Sequence, residues 1–195
     1  DLIVLMPVRI TKAKNIEFAM QIAAHLQSKD FNAQIVLTGP PDPHDPENLV
    51  YFDSLKNRCE RLGVENNFRF LYEENPTSDE PYILDMKIVA DLYRVCDMVL
   101  MTSHREGFGM PVIEAGYSGK PVFSTSIPAA KEIGGEEIHT FSISDGPEKA
   151  ANKILDWASS DPTHILRVRI RQNYTWQNIF RKKIQPMLLM DVEDP

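Results

Sequence analysis

Between Glu106 and Glu114 the chain reads Glu-Gly-Phe-Gly-Met-Pro-Val-Ile-Glu, a carboxylate at each end of a glycine-rich corner. Gly107 and Gly109 let backbone approach a ligand closely, and Pro111 suits the first position of a helix. A helix start presents unpaired N–H groups to an anion. Two acids around such a corner can accept hydrogen bonds from sugar hydroxyls while the corner itself faces phosphate. The pattern therefore points to a nucleotide-sugar site. Each acid also has a purely structural reading: Glu114 complements the helix dipole, and Glu106 is a loop acid.

A second group stands near the start of the chain, where Arg9, Lys12 and Lys14 follow the first apolar run. A guanidinium can bind phosphate bidentately and an ammonium adds a compact charge. From one loop, Arg9 and Lys14 could grip a diphosphate from the same side; taken alone they read equally well as solvated cations. The motifs of other nucleotide binders are missing. Pro7-Val8-Arg9-Ile10-Thr11 stands where a G-x-G-x-x-G fingerprint would follow strand one, and no G-x-x-x-x-G-K-[ST] occurs. Without an Asp-x-Asp, C-x-x-C or H-x-x-x-H pattern, no metal is expected, and the basic residues must supply the charge compensation.

The elements that must position these residues alternate along the chain. Leu2–Met6, Ala33–Leu37, Phe68–Leu71, Met98–Met101, Pro121–Ser124 and Ile138–Ile143 read as strands, several of them continuous apolar runs. Helices are expected from Asn15, as cap, with Ile16, Ala19, Met20, Ala23 and Leu26 on one face. Further helices are expected over Leu49–Leu62, Leu84–Val95, Val112–Tyr117, Ala129–Ile133, Pro147–Ser159 and Thr163–Met190. The last breaks near Tyr174-Thr175-Trp176, giving a closing helix over about 175–190, which Trp176 and Phe180, on one face, are expected to pack onto the domain. Pro40–Pro46 and Glu73–Pro81 read as surface loops, and Met86, Met98 and Met101 as core filler. The rhythm predicts an α/β fold: a single Rossmann-like domain over 1–195, a six-stranded, mostly parallel sheet with helices on both faces. Ligands bind such sheets at the C-terminal ends of the strands, where the loops carrying Arg9 and Glu106 both lie.

Composition narrows the partners. At 195 residues, 43% hydrophobic and 25% charged, the chain is an ordinary globular sequence. A net charge of −7 speaks against nucleic acid; Arg167, Arg169, Arg171, Arg181, Lys182 and Lys183 read as a solvated face. Cys59 and Cys96 are expected to be buried, reduced thiols. No apolar run reaches membrane-spanning length and no signal peptide is evident, so a cytoplasmic location is expected.

Together these residues resemble the C-terminal domain of family 4 retaining glycosyltransferases, enzymes of the GT-B fold. Arg9-x-x-x-x-Lys14, Leu92–Leu100, Ser103-x-x-Glu106-Gly-Phe-Gly-Met-Pro-Val-Ile-Glu114-Ala, Gly119-Lys-Pro-Val, Glu132-Ile133 and Tyr174-Thr-Trp176 follow one another in that family's order. The resemblance implies donor-sugar contacts from Glu106, ribose contacts from Glu114, and backbone N–H groups of Gly107, Phe108, Gly109 and Met110 around the sugar and phosphates. It assigns Arg9 and Lys14 to the leaving diphosphate and places the base near Leu71-Tyr72-Glu73. It implies hexosyl transfer from a nucleoside-diphosphate sugar to an unidentified acceptor, no cofactor, and an acceptor domain N-terminal to this one that the chain lacks. On that view the chain binds donor but transfers little sugar alone. A GT-B epimerase or phosphorylase, or a non-catalytic nucleotide-sugar or protein-binding module, are the alternatives. Val8 stands where the family often has glycine, and Pro128-Ala129-Ala130 where it often has a Gly-Gly pair.

Overall fold

The computed structural model describes residues 2–42, 47–76, 78 and 80–190, so the expected loops 40–46 and 73–81 lie partly outside the described residues. Six strands form one parallel sheet: β1 (Leu2–Met6), β2 (Ala33–Leu37), β3 (Phe68–Phe70), β4 (Met98–Met101), β5 (Val122–Thr125) and β6 (His139–Phe141). Their order, β3-β2-β1-β4-β5-β6, is that of a Rossmann-type sheet, with the direction of winding reversed between β1 and β4. β1 and β4 are the inner strands of that reversal, which is why both read as unbroken apolar runs. Leu5, Val99 and Met101 face one side, and the alternate residues Val4, Met6, Met98 and Leu100 face the other; all are buried.

The first face is covered by α3 (Met86–Val95), α4 (Met110–Tyr117) and α5 (Pro128–Gly134), which bring Tyr93, Cys96, Val112, Ala115 and Ala130 into one apolar cluster with the strands. α1 (Ile16–Ser28) buries every apolar residue expected of it and adds Phe18 and Ile22. It lies beside α2 (Glu47–Leu62), to which it is tied by a 2.6 Å hydrogen bond from the Tyr51 hydroxyl to Glu17. Burial of that phenol, reinforced by the carboxylate, raises the Tyr51 pKa well above its ordinary value. Cys59 and Cys96 are buried thiols outside any disulfide.

Several local expectations shift by a residue or more. Asn15 occupies the N-cap of α1, yet its side chain makes no capping bond. Its φ of 48° is left-handed, a conformation Asn tolerates better than most residues, and it turns the chain out of a short 3₁₀ segment at Lys12–Lys14. α3 starts at Met86 rather than Leu84 because the Asp85 side chain accepts the Ile88 N–H at 2.8 Å. Met86 itself is exposed rather than core, while Met98 and Met101 are fully buried. α4 begins at Met110, which places Pro111 second in the helix, and strands β3, β5 and β6 differ from the expected bounds.

The chain divides into two compact units, Asp1–Ile154, which holds the sheet, and Leu155–Pro195. α6 (Pro147–Ser160) crosses the boundary. In the second unit, α7 (Pro162–Asn173) is capped by Asp161 and α8 (Trp176–Ile179) by Thr175, whose hydroxyl accepts the Asn178 N–H at 3.3 Å. The break at 174–175 is therefore where the sequence places it. A π-helical stretch, Phe180–Ile184, leads into α9 (Gln185–Met190). Trp176 is 82% exposed and Phe180 is also exposed. No described helix is long and apolar enough to cross a membrane.

Candidate functional site

The loops after β1 and β4 leave adjacent strands at the point where the sheet reverses direction, and they are joined to each other. The hydroxyl of buried Thr102, just past β4, donates to the Lys14 carbonyl at 2.9 Å, and the His104 N–H donates to the Ala13 carbonyl at 2.9 Å. Between them the Lys14 ammonium reaches both carboxylate oxygens of Glu106, each at 2.7 Å. The Glu106 side chain is only 8% exposed and that of Lys14 21%. A carboxylate so buried needs its lone pairs satisfied. A third bond comes from the Ser103 hydroxyl to Oε1 at 2.5 Å, and Ser103 is itself held by the Thr125 hydroxyl, which donates to its carbonyl at 2.6 Å. Thus β1, β4 and β5 together fix one ion pair in the crevice.

Glu106 is followed by a turn that needs a glycine at Gly109, whose φ is +80°. A Cβ there would also lie 3.3 Å from Ile133 Cδ1 and 3.5 Å from the Ala129 carbonyl, so α5 backs onto the corner. Phe108 and Met110, on either side, are exposed. Glu114 sits in the second turn of α4 and is half-buried. Its Oε2 accepts the Tyr93 hydroxyl at 2.7 Å, and Tyr93 is buried in the α3–α4 cluster. Burial first, then the bond to Glu114, raises the phenol pKa far above its ordinary value, so the hydroxyl keeps its proton and remains a donor.

Arg9 is placed differently from Lys14. Its side chain is 61% exposed and its nearest charge partner is Asp42, at 3.8 Å, on the loop after β2; Lys12 pairs with Glu47 at 3.6 Å. The backbones of these two loops are zipped together, with Gly39 N–H donating to the Val8 carbonyl at 3.1 Å and Ile10 N–H to the Pro40 carbonyl at 3.0 Å. Tyr72 lies in a 3₁₀ turn after β3, two strands from the crevice, with its ring edge-on to Phe52 at 5.9 Å. The structure therefore brings Lys14 and Glu106 into contact and sets Arg9 on the same loop as Lys14. Glu114 lies one helical stretch beyond Glu106, and Tyr72 stands apart.

Sequence reasoning assigned no role to the groups that hold the acids and the basic loop in place: Ser103, Thr102, Thr125, Tyr93 and Asp42. A signal was present for some of them. Thr102-Ser103 at the end of a fully buried strand are hydroxyls that must find partners. Lys120 is a further example, since its ammonium donates to the carbonyls of Arg94 and Cys96 at 2.8 and 2.7 Å and closes the end of α3.

Comparison with known proteins decides the family. The model of the glycosyl transferases group 1 family matches residues 1–175. The chain belongs to the glycosyl transferases group 1 family. Among its relatives is a D-inositol 3-phosphate glycosyltransferase of Rhodococcus opacus, 25% identical over 183 residues that make up 87% of this chain and 37% of the relative. An uncharacterized glycosyltransferase of Methanocaldococcus jannaschii is 25% identical over 90% of this chain and 42% of its own length. The glycosyltransferase chain thus spans about two fifths of the curated relatives it matches. Among solved structures, Anabaena HepE in complex with UDP superposes with a TM-score of 0.67 at 22% identity, covering 83% of this chain and 40% of that one. These likenesses, with the sheet order, identify the fold as the C-terminal domain of a GT-B glycosyltransferase.

Proposed function

We propose that this group 1 glycosyltransferase domain binds the nucleoside-diphosphate-sugar donor for retaining, family 4-type hexosyl transfer, across the crevice between β1 and β4. The observation that carries the reading is the Lys14–Glu106 pair, which joins a cation and an acid from the two loops at the place where open α/β sheets take their ligands. In this reading Lys14 and Arg9 face the diphosphate and offset the charge that develops on it as the glycosidic bond breaks. Glu106 accepts from donor-sugar hydroxyls and Glu114 from the ribose. Gly107, Phe108, Gly109 and Met110 lend backbone N–H groups, and Tyr72 lies on the base side. Lys14 and Arg9 meet the diphosphate charge without a metal or cofactor.

Solved neighbours hold UDP or UDP-glucose, which favours a uridine nucleotide as first probe. The acceptor is bound by a further domain of the whole enzyme, which works in the cytoplasm, and the domain alone binds donor with little transfer. Titration of the chain with UDP, GDP and ADP, followed residue by residue by NMR, tests the proposal. Saturable binding of one of them at both loops supports it, and binding of none contradicts it.

A further inference from the structure

Glu114 is held by a group that has no other evident task. Tyr93 is 2% exposed, lies among Val112 and Ala115 beneath α4, and donates its only polar hydrogen to Glu114 Oε2. The two helices are also clamped at their far ends. Lys120, just past α4, donates to the carbonyls of Arg94, in the last turn of α3, and of Cys96, its C-cap, and the Cys96 N–H donates to the Leu92 carbonyl. The phenol therefore stands on a rigid frame, at a fixed height against the acid. An aliphatic or phenylalanine side chain would fill the same apolar space without leaving a buried hydroxyl to satisfy.

We propose that Tyr93 is a positioning residue for nucleoside recognition. It locks the Glu114 carboxylate in one orientation by occupying Oε2, and so presents Oε1 to a ribose hydroxyl. The inference rests on the reading of Glu114 as the ribose acceptor. An unheld glutamate on a helix surface samples several rotamers, and fixing it lowers the ordering needed when ligand binds. The device acts on the ribose hydroxyls and on nothing else in the ligand, which separates it from a general effect on stability.

The test measures binding of UDP and of 2′,3′-dideoxy-UDP to the 195-residue chain and to Tyr93→Phe and Glu114→Gln. Tyr93→Phe is expected to bind UDP about tenfold more weakly while changing the dideoxy analogue less than about twofold. Glu114→Gln is expected to compress the UDP preference at least as far. If Glu114→Gln loses the preference and Tyr93→Phe keeps it, the proposal is overturned while the ribose reading stands. If Glu114→Gln leaves the preference untouched, the ribose reading fails and the positioning role fails with it. An equal loss for both ligands in Tyr93→Phe marks a structural role only and also overturns the proposal.

Discussion

Gly39→Ala probes the seam that places Arg9. A Cβ on Gly39 would lie 2.3 Å from the Val8 carbonyl oxygen and 2.7 Å from Arg9 Cα. Both are backbone atoms, so no rotamer change relieves the clash. An ordinary C···O contact is about 3.3 Å, and the two loops must therefore part by about 1 Å. At that separation the 3.1 Å bond from Gly39 to Val8 and the 3.0 Å bond from Ile10 to Pro40 pass beyond hydrogen-bonding distance. Two lost bonds at about 1 kcal/mol each and an overpacking cost of about 1–3 kcal/mol give a loss of about 3–5 kcal/mol. For a domain of this size that lowers the melting temperature by about 6–20 °C. Arg9 moves with the loop, and UDP affinity is expected to fall about tenfold. Gly116→Ala is the matched control, since a Cβ there meets nothing within 4 Å and the residue lies inside α4. It should gain about 0.5–1 kcal/mol. Thermal melts and calorimetric UDP binding read both. A Gly39→Ala protein that melts within about 2 °C of the parent and binds UDP unchanged refutes the reasoning.

Glu106→Gln keeps the shape of the side chain but removes the counter-charge of Lys14, so UDP alone should bind about threefold tighter, and more so at low salt; a tenfold loss of UDP affinity in titration calorimetry would contradict the assigned pairing. Burial first, then Glu65 and Glu60, pushes the Cys59 thiol up to about 12, from an ordinary 9.0. The fold therefore favours the protonated thiol, and this share of stability is intact below pH 9 and lost as pH rises toward 12. Iodoacetamide at pH 8 should leave Cys59 unmodified in the native chain and label it in denaturant; native labelling at the rate of a free thiol would show that it is not buried.

The central strands were legible because burial on both faces writes an unbroken apolar run, and β1 and β4 fall where Leu2 and Met98 begin them. The outer strands were less so. β6, His139–Phe141, is short and only partly buried, so its ends leave little trace in residue type. Glu106 and Lys14 could be singled out by motif, but their mutual contact could not, because it depends on how Thr102 and His104 draw the two loops together. Met86 misled for a related reason: an apolar residue just inside a capped helix start need not face the core. Ser103 and Tyr93 escaped assignment because a hydroxyl gains its meaning from a partner distant in sequence.

The central claim is that the β1 and β4 loops form one nucleotide site. A UDP titration of the isotopically labelled chain, followed by amide shifts, tests it most directly. The account predicts saturable shifts at Arg9, Lys14, Ser103, Glu106, Gly109 and Glu114 together, with one dissociation constant. Shifts confined instead to the groove of about 560 Å³ lined by Ile113, Tyr117, Ile133 and Ile138, or shifts in only one of the two loops, would contradict it.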